Sequence, residues 1–400
     1  MRRKVVIIGH GYTSRLAVIR SVAQADCDII VIVMAWHKRF SKKIDKKKPI
    51  DCYSKYVSRF LFCYAKDEEG LVKLLLNECV DPHQKVVIFP DSDVSAAVID
   101  KNQKRLENHF LFPHIHHTPE AIVEWMDKVK QKDLAQEIGM NVVSGQIITI
   151  CNHSYVLPLS INYPCFTKPL ATINGGKLFL RRCNDEKELR KVLDKISCQY
   201  DVDVLVENFK EIDEEYAVVG FSDSTNVVIP GIIKFVMNSR SHFGVAREGL
   251  IKPIAGFEDM VYLFKIFVKK IGFCGLFDID FYESDGKMYF SEINLRFGGS
   301  GYAVTKMGVN LPSMMVRFLC GEKYTDMPQT VDTEASYVNE RMCIDDWAYN
   351  FITENECKQI IERADIKFVE DSDDPIPSRK LNQYFNKLRV KRFLRRWLKR

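Results

Sequence analysis

Phe290-Ser291-Glu292-Ile293-Asn294-Leu295-Arg296-Phe297-Gly298-Gly299-Ser300, preceded by Asp278-Ile279-Asp280-Phe281, is the stretch on which the fold turns. Phe277 to Tyr282 and Met288 to Arg296 alternate apolar and polar residues, as half-buried strands do. Ser284-Asp285-Gly286 lies between them, so the two segments read as a hairpin. As a three-residue loop with Gly286 at positive φ, it sets Asp278 opposite Glu292. Asp280 and Asn294 then point to the same face, because side chains alternate with period 2. A two-residue Asp285-Gly286 turn would shift the register and turn Glu292 away from Asp280. The carboxylates make chemical sense only in the first register. Carboxylates clustered with an amide oxygen suit Mg²⁺, a hard cation that takes oxygen ligands and shares them with phosphates. Arg296 adds a planar fork for phosphate oxygens. The alternative is an ordinary acidic edge hairpin.

Outward from this hairpin the chain is long for one core, so 400 residues predict two or three subdomains. The twelve cysteines form no CxxC pair and sit mostly in apolar runs, which reads as reduced, buried thiols in a cytosolic protein. Arg2-Arg3-Lys4 precedes only a short apolar run, Val5 to Ile8, which reads as a first strand rather than a signal peptide. No run of about 20 apolar residues exists to span a membrane. Charge is unevenly placed. Residues 379–400 hold ten Lys or Arg and no Asp or Glu, so the +5 of the whole chain leaves −5 for residues 1–378. That acidic body argues against a nucleic-acid partner.

Val5 to Ile8, Ser14 to Ala25 and Asp28 to Met34 predict a βαβ opening with a parallel sheet. Gly9-His10-Gly11 lacks the third glycine of a dinucleotide fingerprint. Val86 to Phe89 is a further strand, ending at Pro90-Asp91-Ser92-Asp93. Residues 119–140 read as a helix, 164–210 as strand, glycine loop, strand, helix, strand, 215–236 as a hairpin and 257–271 as a helix. Lys168 at a strand end, followed by Asn174-Gly175-Gly176-Lys177, suits a polyphosphate: the ammonium meets its charge and glycines let backbone N–H groups approach. Glu207 and Glu215 lie at strand ends, where carboxylates can accept hydrogen bonds from an adenine amino group or ribose hydroxyls. Arg240, His242 and Arg247 form a polar stretch that contacts a carboxylate substrate or phosphates, or is a basic surface loop.

In this order, Lys128, Thr167-Lys168-Pro169, the glycine loop, Val206-Glu207-Asn208, Glu215-Tyr216, Asp280-Phe281 and Glu292-Ile293-Asn294-Leu295-Arg296 resemble the ATP-grasp superfamily, from about residue 5 to 322. Leu295 replaces the proline that many members carry there, and spares the polar residues. The resemblance implies an α/β protein, α+β in its ATP-grasp part. It comprises a pre-ATP-grasp domain (1–117) and an ATP-grasp domain (118–322), divided into a lid subdomain (118–210) and a metal-binding subdomain (211–322). Residues 323–378 form an unmatched extension. It implies ATP and Mg²⁺ as cofactors, with Mn²⁺ as a substitute. Lys128, Lys168, Gly175, Gly176, Glu207 and Glu215 are its nucleotide contacts. Asp280, Glu292 and Asn294 are its metal ligands, and Arg296 and Lys168, joined here by Arg240, its catalytic cations. Within the superfamily the chain looks closest to D-aspartate ligase and related enzymes, through Tyr53-Ser54-Lys55-Tyr56-Val57, Phe110 to Ile115 and Gly308-Val309-Asn310-Leu311. That likeness implies a ligase that activates a carboxylate, such as a free amino acid, as an acyl phosphate. It then joins it to an amine of a cell-wall or surface-glycan precursor. The alternatives are an inactive ATP-binding scaffold and a carbamoyl-phosphate-synthase-like ligase using a different small acid.

The C-terminal 379–400 predicts a basic amphipathic helix. Leu381, Tyr384, Phe385 and Leu388 form one apolar stripe, and Val390, Phe393, Leu394, Trp397 and Leu398 a second, offset one. Such a helix suits an anionic membrane surface, placing a cytoplasmic enzyme peripherally on the inner face. It suits equally a helix packed on the protein's own acidic body, or a disordered tail.

Overall fold

The computed structural model describes residues 2–36, 48–170, 178–242 and 244–397. The glycine loop with Gly175 and Gly176 lies outside the described residues, as do Leu398 and Lys399.

The chain opens as predicted, with a parallel sheet. Strands β1 (Arg3–Gly9), β2 (Cys27–Ala35), β3 (Val57–Tyr64), β4 (Val86–Pro90) and β5 (Phe110–Leu111) pair in the order β3-β2-β1-β4-β5, all parallel. Val5 to Ile8 are fully buried because helices cover both faces. Tyr12–Ala23 lies on one face; Glu68–Glu78 and Asp93–Lys101 lie on the other.

The predicted helix 119–140 is two helices, Ala121–Glu124 and Lys128–Glu137. The break has a local cause. Asp127 takes an extended conformation and its carboxylate accepts from the N–H of Val129 at 2.7 Å and Lys130 at 3.1 Å, capping the second helix. A small antiparallel sheet follows. Its strands β7 (Gly145–Ile150), β8 (Cys165–Pro169), β9 (Arg181–Cys183) and β10 (Val202–Asn208) run in the order β7-β10-β8-β9. Val204, Val206 and Cys165 face the helix Glu186–Ser197, leaving Phe166, Lys168, Leu205 and Glu207 on the opposite face.

The large sheet contains β11 (Glu214–Asp223), β13 (Ile232–Asn238), β14 (Ala246–Lys252), β15 (Phe273–Ser284), β16 (Lys287–Asn294), β17 (Ala335–Val338) and β18 (Ile366–Lys367), in the order β16-β15-β11-β13-β14-β17-β18. The short β6 (His114–Ile115) and β12 (Val227–Val228) pair with β15 and β11. One face packs on Val261, Phe264, Phe267, Val268 and Ile271 of the helix Glu258–Ile271, an apolar stripe at helical spacing. Residues after 322, which gave no pattern in sequence, extend this sheet through β17 and β18 and add the helices Glu340–Ala348 and Glu354–Arg363.

The last helix is longer than predicted, Pro375–Trp397. Its first stripe is spent inside the protein. Leu381 is buried, and Tyr384, Phe385 and Leu388 pack on the same cluster, with the Phe385 ring edge-on to Trp347 at 4.8 Å. No described helix is long and apolar enough to cross a membrane.

Candidate active site

The hairpin of β15 and β16 is built differently from the sequence expectation. Its turn is the two-residue one: Ser284 pairs with Lys287, and Asp285 (φ 52°) and Gly286 (φ 68°) both lie in the left-handed region that such a turn requires. On its own this turn would set Asp280 opposite Ser291 and send Glu292 to the other face. A β-bulge prevents it. Phe281 pairs with Phe290, but Asp280 pairs with Glu292, so Ser291 is the extra residue. Asp278 is consequently opposite Asn294 rather than Glu292. The carboxylates still gather on one face, by a turn and a bulge that cancel.

That face also carries Glu215 of β11, two residues from Ala217, which pairs with Asp280. Glu215 accepts a hydrogen bond from Asn238. Asp280 is pushed up to about 6 by burial, against the pull of Arg296 and Lys128. Asp278 is raised well above the carboxylate range by burial and by Asp280. Its carboxyl lies over Gly298, where a Cβ would come within 2.6 Å of it. Arg296 donates to Asp93 at 2.9 Å, a residue just beyond β4 of the parallel sheet, at the start of the helix Asp93–Lys101.

The helix Lys128–Glu137 bridges the small and the large sheet. Gln131 donates to the carbonyl of Ile293 and accepts from its N–H, both at 3.0 Å, so one side chain satisfies both backbone groups of that residue of β16. The N–H of Lys128 donates to Leu170 just beyond β8, at 3.2 Å. Docked this way, Lys128 forms an ion pair with Glu292 of the large sheet. One turn on, Lys132 forms an ion pair with Glu207 of the small sheet. Lys168 reaches the second oxygen of Glu207 at 2.9 Å. Burial pushes all three ammonium groups below the ordinary lysine range, and Lys128 further lowers both Lys132 and Lys168. The carboxylates against them favour the charged form. Three ammonium groups thus lie where the small sheet meets the oxygen-donor hairpin, Lys128 against Glu292 and Lys132 and Lys168 against Glu207. Lys132 escaped the sequence reading, although its i,i+4 spacing from Lys128 places both on one helix face.

The polar stretch after β13 is mostly structural. Arg247 is buried and donates to Glu248 and Asp346. Asp346 also accepts from Ser239 and Ser241. His242 lies 3.8 Å from Asp345. The side chain of Arg240 is exposed, its backbone N–H held by Asp346 at 3.2 Å.

Among the described residues no three His, Cys, Asp or Glu side chains converge as a ready-made metal cage. The donor chemistry nevertheless fits Mg²⁺, which takes one or two carboxylates and completes its shell with water and substrate phosphates. Asp280 and Glu292 are such a pair, with Asn294 beside them.

No protein-family model matches the chain. The L-amino acid ligase from Bacillus licheniformis superposes with a TM-score of 0.62 at 15% identity, covering 84% of this chain and 79% of that one. The biotin carboxylase domain of 2-oxoglutarate carboxylase from Hydrogenobacter thermophilus, crystallised with MgADP and bicarbonate, superposes with a TM-score of 0.61 at 18% identity, covering 84% and 74%. The chain has the ATP-grasp fold. A sequence relative agrees with this architecture. The carbamoyl phosphate synthase large chain of Gemmatimonas aurantiaca is 25% identical over 232 residues, 57% of this chain and 21% of that protein. The chain thus matches about a fifth of the length of such curated relatives.

Proposed function

We infer that the protein is an ATP-dependent carboxylate–amine ligase that works through an acyl phosphate and produces ADP. The observation that carries this reading is the convergence of Lys128, Lys132 and Lys168 with Asp280, Glu292 and Asn294 across the cleft of an ATP-grasp fold. Lys128 and Lys168 would receive ATP phosphates, with Gly175 and Gly176 of the glycine loop. Glu207 and Glu215 would accept from the adenine amino group and the ribose hydroxyls. Asp280, Glu292 and Asn294 would hold Mg²⁺, or Mn²⁺ in its place, which when bound neutralises phosphate charge. A substrate carboxylate oxygen attacks the γ-phosphorus and ADP leaves. An amine then attacks the acyl carbon, phosphate leaves, and the nitrogen gives up a proton. Lys168 and Arg296 offset charge on the transferring phosphoryl group, so catalysis is positioning and electrostatics, with no protein nucleophile. Exposed Arg240 would meet the substrate carboxylate.

The carboxylate in this reading is a free amino acid. The sequence relatives favour a second reading, a small acid of the carbamoyl-phosphate-synthase kind. The deciding experiment screens amino acids, their D-forms and small acids with MgATP, using hydroxylamine to trap an acyl phosphate as hydroxamate. ADP production is expected only with Mg²⁺ and one class of carboxylate. If no acid stimulates ADP release, the protein is an ATP-binding scaffold and the ligase reading falls.

The acceptor in this reading is a cell-wall or surface-glycan precursor at an anionic membrane. The support is the end of the last helix. Val390 and Leu394 are exposed, and Lys387 and Lys391 beside them are exposed too. Each basic residue near such a surface contributes about 1 kcal/mol. Truncation must spare the docked stripe through Leu388, and Arg389, which pairs with Glu354 at 3.0 Å. Removing residues 390–400 is expected to abolish co-sedimentation with phosphatidylglycerol vesicles at low salt. Full-length protein left in the supernatant at both low and physiological salt would end the membrane idea.

A further inference from the structure

Cys165 of β8 and Cys183 of β9 stand directly opposite one another in the antiparallel ladder of the small sheet. Opposed residues share a face, so both thiols point into the core beneath the helix Glu186–Ser197. There both are fully buried, in one cluster with Leu189, Leu193 and Ile196. Both are free thiols, and they are in hydrogen-bonding contact. The Cys165 S–H donates to the Cys183 sulfur, which holds the Cys183 thiol below its ordinary pKa and raises that of Cys165. Cys183 is therefore the easier of the two to ionise, and the thiolate is the form that attacks a disulfide. Directly opposed Cβ atoms lie about 4.5–5.5 Å apart, against about 3.8 Å in a disulfide, so oxidation of the pair asks the strands to approach by about 1 Å.

The sheet allows that movement. In the order β7-β10-β8-β9, the strand β9 lies at the edge; it is three residues long and pairs with β8 alone. Arg181 and Arg182 are exposed, so a short edge strand has only to lift for Cys183 to meet solvent. The strand β8 is the one that feels the approach. Three residues beyond Cys165, on the opposite face, it carries Lys168, whose ammonium group lies 2.9 Å from Glu207 of β10. Between them Thr167 donates to the carbonyl of Arg181 at 3.3 Å, so displacement of β9 is passed to the residue next to Lys168. Cytosolic disulfides are characteristically transient and redox-sensing. A thiol pair built into the strand that holds a nucleotide contact is placed to act in that way.

We propose that Cys165 and Cys183 form a reversible disulfide on exposure to a small-molecule disulfide, and that closing it weakens nucleotide binding through Lys168. The Cys183 thiolate attacks one sulfur of the oxidant, whose S–S bond breaks, and a first thiolate leaves. The Cys165 thiolate then attacks the Cys183 sulfur of the mixed disulfide and a second thiolate leaves. The two cysteines lose two protons and two electrons, and the oxidant becomes two thiols. The effect on binding rests on the reading of Lys168 as an ATP contact; the disulfide itself does not. The test treats the full chain, with the exposed thiols removed as Cys151→Ser and Cys198→Ser, with glutathione disulfide. Non-reducing digestion and mass spectrometry are expected to find a peptide joining Cys165 to Cys183, two hydrogens lighter than its parts and released by dithiothreitol. Calorimetry with a non-hydrolysed ATP analogue and Mg²⁺ is expected to give a Kd about threefold or more weaker after oxidation, because a phosphate contact displaced by about 1 Å loses affinity. Adding Cys183→Ala is expected to abolish both changes, and Cys165→Ala serves if that variant does not fold. No linked peptide, or a linked peptide with an unchanged Kd, overturns the proposal. If the reduced chain binds no nucleotide, the reading of Lys168 falls, and the effect on binding with it, while the peptide mapping still decides the disulfide.

Discussion

Glu292→Gln is expected to lower ADP production on the order of 10³-fold, equivalent to about 4 kcal/mol of transition-state stabilisation. Glutamine keeps the size and one oxygen of the side chain but removes its charge. Two interactions depend on that charge. One is the carboxylate pair with Asp280, directly opposite across the bulge, which is the proposed magnesium seat. The other is the ion pair with Lys128, whose ammonium group is buried and loses its carboxylate partner. The fold should survive, because the backbone of β16 is held independently by Gln131 at Ile293 and by its ladder to β15. The measurement is steady-state ADP release over a Mg²⁺ titration, with circular dichroism to check folding. Turnover within a few-fold of the parent at saturating Mg²⁺ would remove Glu292 from the metal site.

Lys168→Ala is expected to weaken ATP binding roughly 10- to 150-fold, the loss of one charge-assisted hydrogen bond worth about 1.5–3 kcal/mol. The structure makes this substitution informative. Lys168 shares Glu207 with Lys132, so removing it leaves Glu207 with a cation and no orphaned buried charge. A fall in nucleotide affinity would then report the phosphate contact and not a damaged small sheet. Isothermal titration calorimetry with a non-hydrolysed ATP analogue and Mg²⁺ measures it. An unchanged Kd would make Lys168 a partner of Glu207 and nothing more.

Both experiments depend on pairings that local pattern describes unevenly. Alternation along Phe277–Tyr282 and Met288–Arg296 identified two strands and a connecting turn, because period-2 burial is a property of each segment alone. The register was misjudged. The three-residue loop and the Asp278–Glu292 pairing expected from sequence are replaced by a two-residue turn and a bulge at Ser291. Both solutions put the carboxylates on the cleft face, so chemical sense could not discriminate between them. The polar run after β13 looked like a substrate contact, yet Arg247 and Ser239 serve Asp346, a hundred residues further on.

The sequence by itself determined most kinds of element and their order up to residue 322, the parallel opening sheet, and most of the side chains to which the proposed chemistry is assigned. Those follow from apolar periodicity, turn residues and charge type, which are local. Only the tertiary structure decided that Lys128 meets Glu292, that Lys132 and Lys168 share Glu207, and that Asp93 beyond β4 holds Arg296. It also decided that the first apolar stripe of the last helix is buried while Val390 and Leu394 remain outside. Each of these joins residues tens to hundreds of positions apart, or depends on whether a partner surface is within reach. Such contacts are selected by packing of whole elements, and no window of local sequence contains them.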